Sequence, residues 1–167
     1  MIGPTETQDL WLVNVASGAL TRLTDSLPVG LRGRLLAPKK IVYPSFDGLS
    51  IHAYLYRPAR QVSGARCPAV LLIHGGPTSQ FYDALDPLAQ FLAASGYAVL
   101  MPNIRGSSGY GKRFEDLNNR DWSHGDLQDA IAGADWLRAQ DWIDGAHIGI
   151  TGTSYGGCLS MAAVCNA

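Results

Sequence analysis

Hydrophobic residues change rhythm along this chain of 167 residues, and each change marks an element. Residues 10–15 are rich in strand formers, Ala16-Ser17-Gly18 turns, and residues 19–23 continue, which predicts a hairpin ending in Leu23-Thr24-Asp25. A lone hairpin is marginal in water and wants neighbours. Residues 25–38, with Pro28, Gly30, Gly33 and Pro38, read as a linker. A short strand over 40–44, a tight turn at Phe46-Asp47-Gly48 and a strand over 49–57 follow, the last alternating Ile51, Ala53 and Leu55 with polar and aromatic residues. Residues 69–73 and 97–101 are continuous apolar runs, suited to strands covered on both faces, and 147–151 is read the same way. Between them lie two helices. One runs to about residue 95, with Leu85, Leu88, Ala89 and Leu92 on one stripe, Pro87 in its first turn and Gly96 as its stop. The other spans 126–140, with Leu127, Ala130, Ile131, Ala134 and Leu137 at helical spacing. A further helix opens at residue 155. Strands joined by helical crossovers predict an α/β fold with a mostly parallel sheet.

Composition narrows the class. At 47% hydrophobic the chain can build a core, and its net charge of −1, with basic residues scattered, argues against nucleic acid, an anionic membrane or a polyacidic partner. No apolar run reaches the ~18 residues that span a bilayer, and residues 1–7 show no secretion signal, so a cytoplasmic location is expected. Three cysteines, Cys67, Cys158 and Cys165, lack metal-ligand spacing and read as free thiols in a reducing compartment; no metal site is expected. Cys158 and Cys165 share one face of the last helix, which reads as core packing.

The chemistry concentrates at Gly152-Thr153-Ser154-Tyr155-Gly156-Gly157, between an apolar strand and a helix. A sharp strand-to-helix turn holds such a serine in a strained backbone geometry at a helix N-terminus, where developing negative charge is favoured. In a glycine-rich chain the five-residue pattern alone proves little; the strand-turn-helix context gives it weight. His74-Gly75-Gly76-Pro77 directly follows the apolar strand 69–73, where a glycine loop can aim N–H groups at an oxyanion. Ser154 is therefore the expected nucleophile. The N–H of Tyr155, with that of Gly76 or alternatively Gly75, forms the expected oxyanion hole. His74 is read as orienting its loop.

Together with Pro102-Asn103-Ile104-Arg105-Gly106-Ser107-Ser108-Gly109-Tyr110-Gly111, Gly125-Asp126-Leu127-Gln128-Asp129 and Ala134-Asp135-Trp136-Leu137, these motifs resemble the prolyl oligopeptidase family, most closely its acylaminoacyl-peptidase branch. Tyr43-Pro44-Ser45-Phe46-Asp47-Gly48 resembles the opening of that family's α/β-hydrolase domain, and residues 11–25 resemble the last blade of its β-propeller. The resemblance divides the chain into a propeller remnant and linker at 1–38 and the amino-terminal part of the hydrolase domain at 39–167. It implies hydrolysis of short peptides, or release of amino-terminal residues, by a Ser-Asp-His triad without a cofactor.

In this fold the triad runs Ser, Asp, His along the chain. None of residues 155–167 is Asp, Glu or His, and His52, His74, His124 and His147 all precede Ser154. The triad Asp and His are thus expected outside these residues, and the chain alone is expected to be inactive and, with strand 147–151 left as an edge, self-associating. Arg105 has two readings, contact with substrate or pairing with Asp126 or Asp129, of which pairing is preferred; Tyr110 either lines the cleft or packs. Asp126 and Asp129, in a first helical turn, read as caps, and Trp122, Trp136 and Trp142 as packing aromatics. The competing functions are an esterase or dienelactone-hydrolase-like enzyme, and a non-catalytic binding module derived from a hydrolase.

Overall fold

The structure is a computed structural model and describes residues 3–59 and 65–166; Met1 and Ala167, the outer ends of the two expected domains, lie outside the described residues. Strands β1 (Trp11–Val13) and β2 (Leu20–Arg22) form the expected antiparallel hairpin, shorter at both ends than the apolar pattern. Asn14 Oδ1 accepts the N–H groups of Ala16 and Ser17 and takes over the turn. Leu10, Leu12, Val13, Val15, Leu20 and Leu23 are all exposed on it. Asp9 ties the hairpin off, accepting from Arg22, Thr24 Oγ1 and Ser26 N, and the guanidinium holds its carboxyl well below the usual carboxylate range.

The main sheet has the order β3-β4-β6-β5-β7, from β3 (Lys39–Pro44), β4 (Ser50–Tyr56), β5 (Cys67–Ile73), β6 (Ala98–Asn103) and β7 (Ile143–Gly152). It is mixed: β3-β4 and β4-β6 are antiparallel, β6-β5 and β5-β7 parallel. The parallel half is the one joined by helical crossovers, as the steric rule requires. Helix α1 (Pro87–Ala94) covers one face, capped by Asp86, whose side chain accepts Ala89 N–H at 2.8 Å. Its buried stripe meets the expectation in part: Ala89 is buried and Leu92 half-buried against Leu72, Val99 and Met101, but Ala93 joins them and Leu88 is exposed. The helix approaches the sheet on its small residues, which leaves Leu88 and Phe91 facing outward.

Helices α3 (Gly125–Arg138) and α4 (Tyr155–Asn166) cover the other face, packing Leu127, Ala130, Leu137 and Leu159 on Leu71, Ile73 and Leu100. A short helix, α2 (Lys112–Asp116), sits in the connection after β6. β7 is the sheet's edge, as expected, since among the described residues only β5 pairs with it, but it is not covered on both faces: Ile148 and Ile150 pack on the core while Ala146, His147, Gly149 and Thr151 are exposed. A second expectation is also corrected. Cys158 and Cys165 share a face of α4, but the outward one. The inward stripe is Tyr155, Leu159 and Ala163, and both thiols are exposed while Cys67 is buried. No helix of the described residues is long and apolar enough to cross a membrane.

Candidate active site

β7 ends at Gly152 and α4 begins at Tyr155, so Thr153 and Ser154 make the whole turn. Ser154 sits at φ 58°, in the left-handed region, with an exposed side chain. A non-glycine residue held there costs on the order of 1–3 kcal/mol and persists only where its surroundings fix it. The fixing groups are close. Gly156, Gly157 and Cys158 donate N–H bonds to the carbonyls of Thr153, Ser154 and Ser154 at 3.0, 3.0 and 3.2 Å. On the β5 side there is no room for a side chain: a Cβ on Gly152 would stand 2.5 Å from the Ile73 carbonyl oxygen, and one on Gly156 would overlap that oxygen outright.

β5 is the neighbouring parallel strand, so its carboxyl end delivers His74-Gly75-Gly76-Pro77 beside the turn. The position of a Cβ on Gly75 lies 3.4 Å from Ser154 Cβ and 3.9 Å from its Oγ. Gly76 has φ 126° and leaves no space for a Cβ, which would meet Thr78 N at 2.7 Å. His74 is buried: Nδ1 donates to the Gly75 carbonyl at 2.7 Å, Nε2 lies 2.9 Å from Ser107 Oγ, and Phe81 packs edge-on. Burial lowers the proton affinity of its imidazole, so the ring is a neutral brace for the glycine loop, as expected. The other histidines are engaged elsewhere: His52 stacks on Tyr110, while His124 and His147 hydrogen-bond through Nδ1 to Asp121 and Asp144.

Arg105 is buried and committed. Nε and Nη2 donate to the Asp129 carboxylate at 3.0 and 2.8 Å, Nη1 and Nη2 to Asp47 at 3.1 Å each, and Phe46 lies under the guanidinium. The fork joins the loop after β6, helix α3 and the β3-β4 turn. Tyr110 packs between His52 and Phe114, its hydroxyl accepting from Asn103 Nδ2 at 2.7 Å.

The cap expectation holds in part for Asp126, which lies in the first turn of α3, but not for Asp129. Asp129 is Arg105's partner. Asp126 accepts its neighbour Leu127's N–H at 2.8 Å through one oxygen, but gives the other to Asn118 Nδ2 and the Tyr155 hydroxyl. Both are fully buried, where a carboxylate needs partners that a helix end alone does not supply. Sequence reading missed this link and Asn118 altogether. The aromatic following the serine and the helical spacing of Asp126 were visible, but not that they meet. Burial pushes the Tyr155 phenol up to about 12. Among the described residues, no three His, Cys, Asp or Glu side chains gather into a metal site.

A strained, exposed serine at a strand-to-helix turn, with a glycine loop at the end of the adjacent parallel strand, is an arrangement of the α/β-hydrolase fold. Within that class the chain belongs to the prolyl oligopeptidase family, whose description matches residues 84–167. It is 35% identical over 156 residues to dipeptidyl aminopeptidase BIII of Pseudoxanthomonas mexicana, covering 87% of this chain and 22% of that protein. It superposes with TM-score 0.92 on a Mycobacterium tuberculosis puromycin-hydrolysing peptidase, at 28% identity over 99% of this chain and 26% of the other. The acylaminoacyl peptidase of Pyrococcus horikoshii gives TM-score 0.87 at 27% identity, covering 99% of this chain and 27% of the other. The chain thus spans about a fifth of the length of the curated relatives it matches, 19% and 22% for the first two.

Proposed function

We propose that these residues carry the nucleophile and oxyanion site of a serine peptidase that hydrolyses short peptides or releases amino-terminal residues, acylated or free. The observation that carries this reading is the left-handed Ser154, exposed and facing Gly75 from the end of β7. Ser154 Oγ attacks the scissile carbonyl. The N–H of Tyr155, first in α4 and so without an intrahelical acceptor, receives the developing oxyanion together with that of Gly76 or Gly75. The general base and its orienting acid are a His and an Asp outside these residues, since each histidine here is occupied away from Ser154. Arg105 serves the clamp around Asp129, and Tyr110 serves packing. Free thiols, two of them exposed, favour a reducing, cytoplasmic setting.

Fluorophosphonate labelling with peptide mass spectrometry tests this, with Ser154→Ala as control. In the full-length peptidase, labelling confined to Ser154 is expected, and hydrolysis of aminoacyl and acylaminoacyl anilides should exceed that of simple esters. No labelling at Ser154 there would overturn the peptidase reading. Rapid labelling of residues 1–167 alone would put the base inside this chain and overturn the outside assignment.

We also propose that residues 1–167 on their own self-associate through the unpaired edge of β7. Sedimentation velocity should show mass rising with concentration; a monomer at all concentrations would refute it.

A further inference from the structure

The side chain of Tyr155 points away from the site and into the protein. Its ring is 6% exposed, and its hydroxyl donates to Oδ2 of Asp126, which is 0% exposed. That hydroxyl also accepts from Ser123 N at 3.4 Å and lies 3.5 Å from Asn118 Nδ2, which itself donates to Asp126 at 2.6 Å. Trp122 closes the arrangement, edge-on to the Tyr155 ring at 5.2 Å. The loop leading to it is strained like the serine turn, with Arg120 and Ser123 both at φ 63°. Among the described residues no cationic side chain pairs with Asp126. Its charge is met by neutral donors and by the N-terminus of α3, in whose first turn it lies.

A buried carboxylate without a cation is a costly way to hold two helices together, and an apolar pair would pack as well. What the link achieves is geometric. The Tyr155 backbone N–H is one bond from the Cα that carries the tethered ring. Fixing the far end of the ring on α3 therefore fixes the direction of that N–H and restrains the left-handed residue before it. Resting on the peptidase reading above, we propose that Asp126 is a positioning residue, aiming the N–H of Tyr155 at the oxyanion through the Tyr155 hydroxyl.

The test uses the full-length peptidase with Tyr155→Phe, Asp126→Asn and the double variant, an aminoacyl anilide substrate, and a peptidyl trifluoromethyl ketone as transition-state analogue. Tyr155→Phe keeps the ring and its packing and removes only the tether. Displacing or losing one oxyanion donor is worth on the order of 10–100-fold or more in turnover. Tyr155→Phe should therefore lower kcat by about 10-fold or more with KM within about twofold, and weaken the ketone by the same factor. The double variant should be no worse than the worse single one, because both break one link. If Asp126→Asn does not fold, Tyr155→Phe decides alone. A Tyr155→Phe enzyme with kcat and ketone affinity within about twofold of the parent would overturn the positioning role, as would a loss confined to thermal stability. Ser154→Ala in the same assay separates this from the reading beneath it: turnover surviving there would sink the peptidase assignment itself.

Discussion

The carbonyl carbon of Ile73 lies 2.8 Å from where a Cβ on Gly156 would stand. Strand β5 and the first turn of α4 are in backbone contact, and that contact brings Gly75 within reach of Ser154. The close approach sets the first prediction. Gly156→Ala has no flexible neighbour to push aside, only backbone, so it should destabilise by about 3 kcal/mol or more, at or beyond the upper end of ordinary overpacking. Urea unfolding measures it. A loss below about 0.5 kcal/mol would mean that β5 and α4 are not held as tightly as described.

Ser154 at φ 58° stores strain that its own replacement should release. Ser154→Gly accepts the left-handed conformation without cost, and should gain up to about 1 kcal/mol after the added flexibility of the unfolded chain is counted. Ser154→Ala keeps a Cβ and should gain nothing comparable. A thermal-melt comparison of the two isolates the strain from the loss of the hydroxyl. Equal melting points would show that the turn is not strained.

Arg105 offers a clean separation of its two sequence readings. With Asp129 removed, the buried guanidinium keeps the half-exposed Asp47 as its one ion-pair partner among the described residues, and Asp129→Ala should cost about 3–5 kcal/mol in chemical denaturation. Arg105→Lys keeps the charge but cannot reproduce the fork to both carboxylates, so it should also destabilise, by a smaller amount. A substrate-binding arginine behaves otherwise: Arg105→Lys would raise KM in the full-length enzyme and leave unfolding untouched.

These predictions also mark what the sequence discloses. The apolar runs at β5 and β6 and the two glycine motifs announce their elements because backbone demands there are local: a buried strand needs continuous apolar residues, and a sharp turn needs glycine. Pairing partners are not local. Nothing in the rhythm of β7 says that one of its faces is left open, nor does the rhythm of α1 say that it meets the sheet on Ala89 and Ala93, since a periodicity identifies a face without naming what covers it. The same holds for Cys158 and Cys165, which share a face that turns outward. Buried polar pairs are hidden most completely. Asp126 and Tyr155 are 29 positions apart, and each has an ordinary local role, helix cap and core aromatic, that conceals the bond between them.

His74 supplies a pH signature. Burial holds its imidazole below the usual value of 6.5, with Nδ1 bound to the Gly75 carbonyl and, among the described residues, no carboxylate paired with it. A histidine whose folded pKa is depressed binds its proton more readily in the unfolded chain. Its contribution is therefore fully present above pH 6.5 and is lost as pH falls from there toward the folded value. Stability measured by urea should decline from pH 7 into the range just below 6.5, before most carboxylates titrate. His74→Gln can still donate to a carbonyl but does not titrate; it should lower stability at pH 7 and flatten that decline. An unchanged slope in the variant would assign the acid sensitivity to other groups, and would remove the neutral brace from the account of how Gly75 is held against Ser154.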